Sequence, residues 1–218
     1  MKIKNVLFDL DGTLVDSFEG VSNCILYALE KMNWKMLTKE QTRPFLGPPL
    51  PNSFEEYCNM TKDEALRAVE LYRERYSTKG VFESVVFDGM VNFLKYLKSQ
   101  NIRMFVATSK PQHYAEQILE HCEIDKYFEI ILGVSPSNTV SDKSGLLNVI
   151  IDRFGLKKSE TAMVGDRMFD IDAAKSVGVF SIGITNGCDT FDELKEHGAD
   201  VIVENAAEME QFFRKNEE

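Results

Sequence analysis

Runs rich in β-branched and aromatic residues at 3–9, 102–108, 129–133, 161–165, 179–184 and 200–203 read as strands, mostly separated by about ten residues of helical periodicity. Such alternation predicts a parallel sheet with helices on both faces, because every parallel pair needs a crossover and the crossovers cover the sheet. One interval breaks the rhythm. About 90 residues separate the first two strands, where a crossover needs only about a dozen. This insert reads as helical, over 16–32, 38–46, 52–59 and 61–79, and each segment opens near an Asp, Thr or Asn suited to capping a helix. GPPLP at 47–51 is its clearest break. The expected architecture is an α/β core made of 1–15 and 82–218, with a helical domain of 16–81 hung from two hinges.

A chain of 218 residues suits one full domain plus an insertion, at about 150 residues per domain. Against 25 Lys and Arg stand 35 Asp and Glu, a net charge of −10. Nucleic-acid backbones and acidic membranes are therefore disfavoured as partners, whereas one focused cationic pocket would still accept a small phosphate ester. No apolar run approaches the ~20 residues that span a bilayer, and the N-terminal segment carries acidic residues, so a cytoplasmic protein is expected. Cys24, Cys58, Cys122 and Cys188 lie far apart without metal-ligand spacing and read as buried or partly buried thiols.

Carboxylates gather where the strands end. Asp9 and Asp11 flank Leu10 at the end of the first strand, and in extended chain residues two apart share a face. Gly12 follows, able to turn the chain sharply and bring backbone N–H groups towards an anion. In MVGDRMFDIDAAKSVG, Asp166 lies just past another strand, with Asp170 and Asp172 entering the next helix. Each motif alone also fits a turn or a cap. Three or four carboxylates at one sheet edge, however, repel one another unless a cation sits among them, and an all-oxygen ligand set suits Mg²⁺. Opposite charge comes from Thr108, Ser109 and Lys110, with Pro111 as first helical residue, and from Lys143 opening a helix over 142–154; surface cations and caps are their plainer readings.

FDLDGTLVDS, VATSK, Lys143 and VGDRMFDIDAAKSVG resemble, in order and spacing, the four motifs of the haloacid-dehalogenase superfamily of phosphatases and mutases. The insert resembles the helical cap of its phosphoglycolate-phosphatase-like branch, and GPPLPNSFEEY a segment of that cap. The resemblance implies a Rossmann-like core with an inserted α-helical cap and a two-step phosphoryl transfer. Asp9 would be the nucleophile, Asp11 the acid and then the base, and Lys143 a shield for charge on Asp9. Mg²⁺ would be held by Asp9, the backbone carbonyl of Asp11 and Asp166, with Asp170 an inner ligand or bound through water. Thr108, Ser109, Lys110 and Lys143 would hold the phosphate, with the Leu10, Asp11 and Ser109 backbone N–H groups completing the cradle. Gly47, in a loop able to reach the site, is a candidate for shaping the pocket, or a plain helix break. Around the third motif the chain departs from the pattern. GVSPSNTVSD replaces the basic residue that relatives carry before the lysine, and Ser144 and Gly145 replace a KPxP-like stretch after it.

The expected activity is phosphatase action on small phosphate monoesters such as phosphoglycolate, nucleoside monophosphates or sugar phosphates, by a monomer or weak homo-oligomer. The alternatives are a phosphomutase of the β-phosphoglucomutase type and a catalytically idle binding or regulatory module. Phe18, Phe45, Phe54 and Tyr57 are expected in the core of the helical bundle, and His113 is the histidine nearest the site.

Overall fold

The structure, a computed structural model, describes residues 2–135 and 142–216. The chain opens with β1 (Asn5–Phe8) and a short strand β2 (Val15–Asp16). Helices α1 (Phe18–Lys31), α2 (Leu50–Cys58) and α3 (Lys62–Tyr76) follow. The chain returns through β3 (Val85–Val86) and then alternates: α4 (Met90–Ser99), β4 (Arg103–Pro111), α5 (Gln112–His121), β5 (Ile131–Val134), α6 (Lys143–Phe154), β6 (Thr161–Gly165) and α7 (Met168–Val177). It ends with β7 (Phe180–Ile184), α8 (Phe191–Glu196), β8 (Val201–Val203) and α9 (Ala206–Lys215). Two compact units result, one of residues 1–16 with 85–218 and one of 17–84. Residues 82–84, expected in the core, fall in the helical unit, and Asp16, expected in the helical domain, falls in the α/β unit.

In the first unit all six long strands pair in parallel, in the order β5-β4-β1-β6-β7-β8. This is the α/β, Rossmann-like parallel sheet that the alternating pattern predicts. β1 is central and completely buried, which is why NVLF carries no alternation of polar and apolar residues. Leu7 packs with Phe105, Met163 and the apolar faces of α6 and α7. Phe8, on the other face, meets Phe93 of α4 and Phe128 edge-on at centroid distances of 6.3 and 6.1 Å, and Phe93 meets Phe213 of α9 at 5.5 Å. β2 and β3 form a separate antiparallel ladder of two residues each, too short to leave a periodic pattern.

The helical unit differs from the sequence reading in detail. The segment at 38–46 is a 3-10 turn over Glu40–Phe45 with Pro44 inside it, since proline supplies no N–H for an α-helical ladder. GPPLP does more than interrupt. Pro49 caps α2 and Pro51 stands in its first turn, where a missing N–H costs nothing, so the helix begins two residues before the expected 52. Thr61 and Glu64 form a reciprocal capping box at the start of α3. Phe45 and Phe54 are buried and meet at 5.1 Å. Phe18 is only half-buried, with the Arg43 guanidinium 4.2 Å above its ring, and Tyr57 is exposed, so neither belongs to the bundle core as expected. Gly20 lies against the Gly80 carbonyl, leaving no room for a side chain. Arg75 and Glu83 form a two-pronged ion pair, both contacts at 2.8 Å.

Candidate active site

The C-terminal ends of β1, β4 and β6 converge on a buried ionic cluster. The Asp9 N–H donates to the Val164 carbonyl at 2.9 Å, extending the β1–β6 pairing by one residue and holding Asp9 at the sheet edge. Beyond it the chain doubles back: the N–H groups of Leu14 and Val15 both donate to the Leu10 carbonyl, and Gly12 takes φ +82°, which strongly favours glycine. On β6, Gly165 is followed by Asp166, and Asp170 stands in the first turn of α7, its carboxylate accepting the Arg167 N–H at 3.1 Å. One oxygen each of Asp9, Asp166 and Asp170 lies within 4.8 Å of the others.

Lys143, the first residue of α6, supplies the opposite charge from inside. The Asp142 side chain caps this helix by accepting the Gly145 N–H at 3.1 Å. The Lys143 ammonium sits 2.5 Å from Asp9 Oδ1 and 2.9 Å from Asp170 Oδ1, and donates to the Ala107 carbonyl at 3.1 Å. Burial works against its charge, but the carboxylates of Asp170 and Asp9 outweigh that and hold the proton more tightly than on an ordinary lysine.

One ammonium does not balance three carboxylates. Burial, reinforced by the charges of Asp9 and Asp170, pushes Asp166 up to about 8, although its carboxylate accepts the Cys188 N–H at 2.9 Å and the Thr13 hydroxyl at 3.2 Å. Burial also raises Asp170, with Lys143 pulling the other way. The surrounding backbone is shaped for these carboxylates. A methyl group at Gly12 or Gly187 would run into Asp166, and one at Gly165 into Asp170. A buried, oxygen-only group with surplus negative charge is the donor set a hard divalent cation needs, so these residues fit Mg²⁺.

The other expected site residues occupy different surroundings. The Asp11 carboxylate lies outside the three-carboxylate group and is instead held by the Lys110 ammonium, at 2.9 and 2.8 Å from its two oxygens. Thr108 is buried and its hydroxyl accepts the Lys110 N–H at 3.2 Å, whereas Ser109 is exposed. Pro111 is not the first helical residue; it ends β4 and caps α5 with an extended ψ of 133°. Asp172 is not part of the convergence, because it faces out of α7 and pairs with His197 Nδ1 at 2.9 Å. His113 is exposed, its ring 3.9 Å from that of Tyr114. Gly47 belongs to the helical unit, ahead of α2, in a left-handed conformation with φ +100°. Most of the stretch preceding Lys143, residues 136–141, lies outside the described residues. Cys188 is exposed, against the expectation of covered thiols.

Sequence reading missed Thr13 and the loop after β7. Cys188 reaches Asp166 through its backbone N–H, and Asp189 pairs with Arg167 Nε at 2.8 Å while accepting the Met168 N–H at 2.7 Å. A backbone donor carries no residue-type signal. The one available clue is NGCD itself, a glycine and an acidic residue just past a strand of the same sheet.

Comparison with known proteins gives the family. The family model for haloacid dehalogenase-like hydrolases matches residues 6–184. A 5'-nucleotidase of Pseudomonas aeruginosa is 36% identical over 90% of this chain and 89% of its own. A phosphoglycolate phosphatase of Vibrio parahaemolyticus is 28% identical over 95% of this chain and 94% of its own. The crystal structure of a predicted phosphatase from Clostridium acetobutylicum superposes with a TM-score of 0.87 at 36% identity, covering 99% of this chain and all of that one.

Proposed function

Since the chain belongs to the haloacid dehalogenase-like hydrolase family and is a phosphatase of that family, we propose that it hydrolyses small phosphate monoesters with Mg²⁺ through an aspartyl phosphate on Asp9. The observation that carries this reading is the buried group of Asp9, Asp166 and Asp170, with the Lys143 ammonium paired to Asp9 and Asp170. Asp9, the backbone carbonyl of Asp11, Asp166 and Asp170 would hold the ion. When bound, it offsets the repulsion between a carboxylate nucleophile and an anionic ester and polarises the phosphoryl oxygens.

The residues divide the work. Asp9 attacks phosphorus while the bond from phosphorus to the ester oxygen breaks, and Asp11 gives that oxygen its proton. Water then attacks the phosphorus of the aspartyl phosphate, Asp11 takes back a proton, and the bond to Asp9 breaks to release inorganic phosphate. Lys143 holds Asp9 in place through its 2.5 Å contact. Thr108, with the ammonium groups of Lys110 and Lys143, binds phosphoryl oxygens. For that role Lys110 must exchange Asp11 for phosphate, which also frees Asp11 for proton transfer. The helical unit would supply the cap function that its sequence resembles, with Gly47 a candidate for selecting the leaving group. The similarity to a 5'-nucleotidase and a phosphoglycolate phosphatase puts nucleoside 5'-monophosphates and phosphoglycolate first among candidate substrates.

The test is phosphate release from nucleoside monophosphates, phosphoglycolate, sugar phosphates and p-nitrophenyl phosphate, with Mg²⁺ and with EDTA. Release that depends on Mg²⁺ is the expected result. Release undiminished by EDTA would overturn the metal assignment, and silence across the panel from folded protein would overturn the activity.

A further inference from the structure

The loop after β7 grips the loop after β6 at four points. Cys188 N–H donates to Asp166 Oδ2 at 2.9 Å, and Asp189 N–H to the Asp166 carbonyl at 3.3 Å. Asp189 Oδ2 accepts the Met168 N–H at 2.7 Å, and Asp189 Oδ1 pairs with Arg167 Nε at 2.8 Å. Two of these bonds fall on Asp166 itself and the other two on the residues that immediately follow it. The ion pair is well covered, its side chains only 17% and 10% exposed. A surface pair of this kind contributes little; a covered pair is screened less and holds its two side chains together more strongly. Gly187 leaves the space that the Asp166 carboxylate fills, so the turn wraps that carboxylate rather than merely lying near it.

None of the steps above uses Asp189 or Arg167. We propose that they form a positioning clamp: the pair locks residues 187–189 onto 166–168 and thereby fixes the Asp166 carboxylate in the orientation that binds Mg²⁺. The proposal rests on the metal reading above. Partners that orient a metal ligand without touching the metal typically contribute about 10–100-fold in metal affinity.

A purely electrostatic role predicts a different pattern. Asp189 is an anion and Arg167 a cation, both beside the site. Acting through charge alone, loss of Asp189 would weaken Mg²⁺ binding and loss of Arg167 would strengthen it. A clamp requires both losses to weaken binding, and it requires the double variant to be little worse than either single one, because the first substitution has already opened the clamp.

The experiment is calorimetric titration of Mg²⁺ into metal-free full-length protein, repeated with Mn²⁺ by electron paramagnetic resonance, for wild type, Asp189→Ala, Arg167→Met and the double variant. Thermal melts in EDTA verify folding. Asp189→Asn is the milder companion, since its amide oxygen still accepts the Met168 N–H while the charge pair is gone. Arg167→Met and Asp189→Asn, which both keep the Met168 bond and lose the charge pair, should each bind Mg²⁺ about tenfold more weakly, with Asp189→Ala and the double variant only a little weaker still. Tighter or unchanged binding by folded Arg167→Met would overturn the clamp, as would fully additive losses. A wild-type protein that binds no Mg²⁺ would overturn the metal reading, and the clamp with it; the wild-type titration separates that outcome from failure of the clamp alone.

Discussion

The two units bury polar groups in opposite styles. Among the described residues, the buried charged side chains, Asp9, Lys143, Asp166 and Asp170, all belong to the α/β unit and all gather at one sheet edge. The buried polar side chains of the helical unit, Ser17, Ser22, Thr42, Ser53 and Ser84, are all hydroxyls. Its charged pairs, such as Arg75 with Glu83, keep partial access to solvent. Burying an unpaired charge is far costlier than burying a neutral hydroxyl, so a fold that concentrates charge points to chemistry. By this contrast the α/β unit carries the candidate site and the helical unit is held together by packing.

The sharpest way to break the contrast is to substitute at the charged edge. Asp9→Asn keeps the shape but removes the nucleophile and a carboxylate oxygen, so turnover should fall by about a thousandfold or more while the thermal midpoint in EDTA does not drop. Retained phosphate release would remove Asp9 from its role. Asp11→Asn comes next, with an expected loss of about 10²–10⁴-fold in kcat; ordinary turnover would exclude Asp11 as the proton carrier.

The helical unit predicts the reverse signature. Phe54→Ala leaves a cavity against Phe45 and should cost about 3–5 kcal/mol of stability by denaturant unfolding, with the Mg²⁺ dissociation constant unchanged. A large change in metal affinity would mean that the two units are not energetically separate.

The smallest effect is a pH dependence confined to the charged edge. In the metal-free protein Asp166 is held at about 8 against an ordinary 3.8, chiefly by burial. Between those values the folded chain keeps a proton that the unfolded chain has released, so this group stabilises the fold at low pH and that stabilisation is lost as pH rises towards 8. Melting in EDTA should weaken from pH 5 to pH 8 by about 1 kcal/mol per pH unit, and saturating Mg²⁺ should abolish the slope. A slope that survives Mg²⁺ would assign it to other groups.

Much of this was legible before any coordinates. All six parallel strands stand within a few residues of their expected bounds, because strand alternation and β-branched composition are local signals. Asp9, Asp166 and Lys143 were legible for a related reason, each lying next to a strand end or a helix start. Asp170 was expected as a ligand in preference to Asp172 through the family resemblance, and the packing of α7 turns Asp170 inward to Lys143 and Asp172 outward to His197. Asp11 was likewise expected to face the same spot as Asp9, yet the turn at Gly12 sends its carboxylate to Lys110.

Composition, periodicity and motif spacing were enough to specify a parallel α/β sheet with a helical insertion and an acidic sheet edge, since those depend on neighbours along the chain, and the resemblance of the motifs added phosphate chemistry. Tertiary structure alone decided which carboxylates share one lysine, which glycines make room for them and which loop holds Asp166 in place. Those contacts join residues 134 positions apart at Lys143 and Asp9 and 153 apart at Thr13 and Asp166, and in the loop after β7 they run partly through backbone N–H groups that every residue except proline possesses.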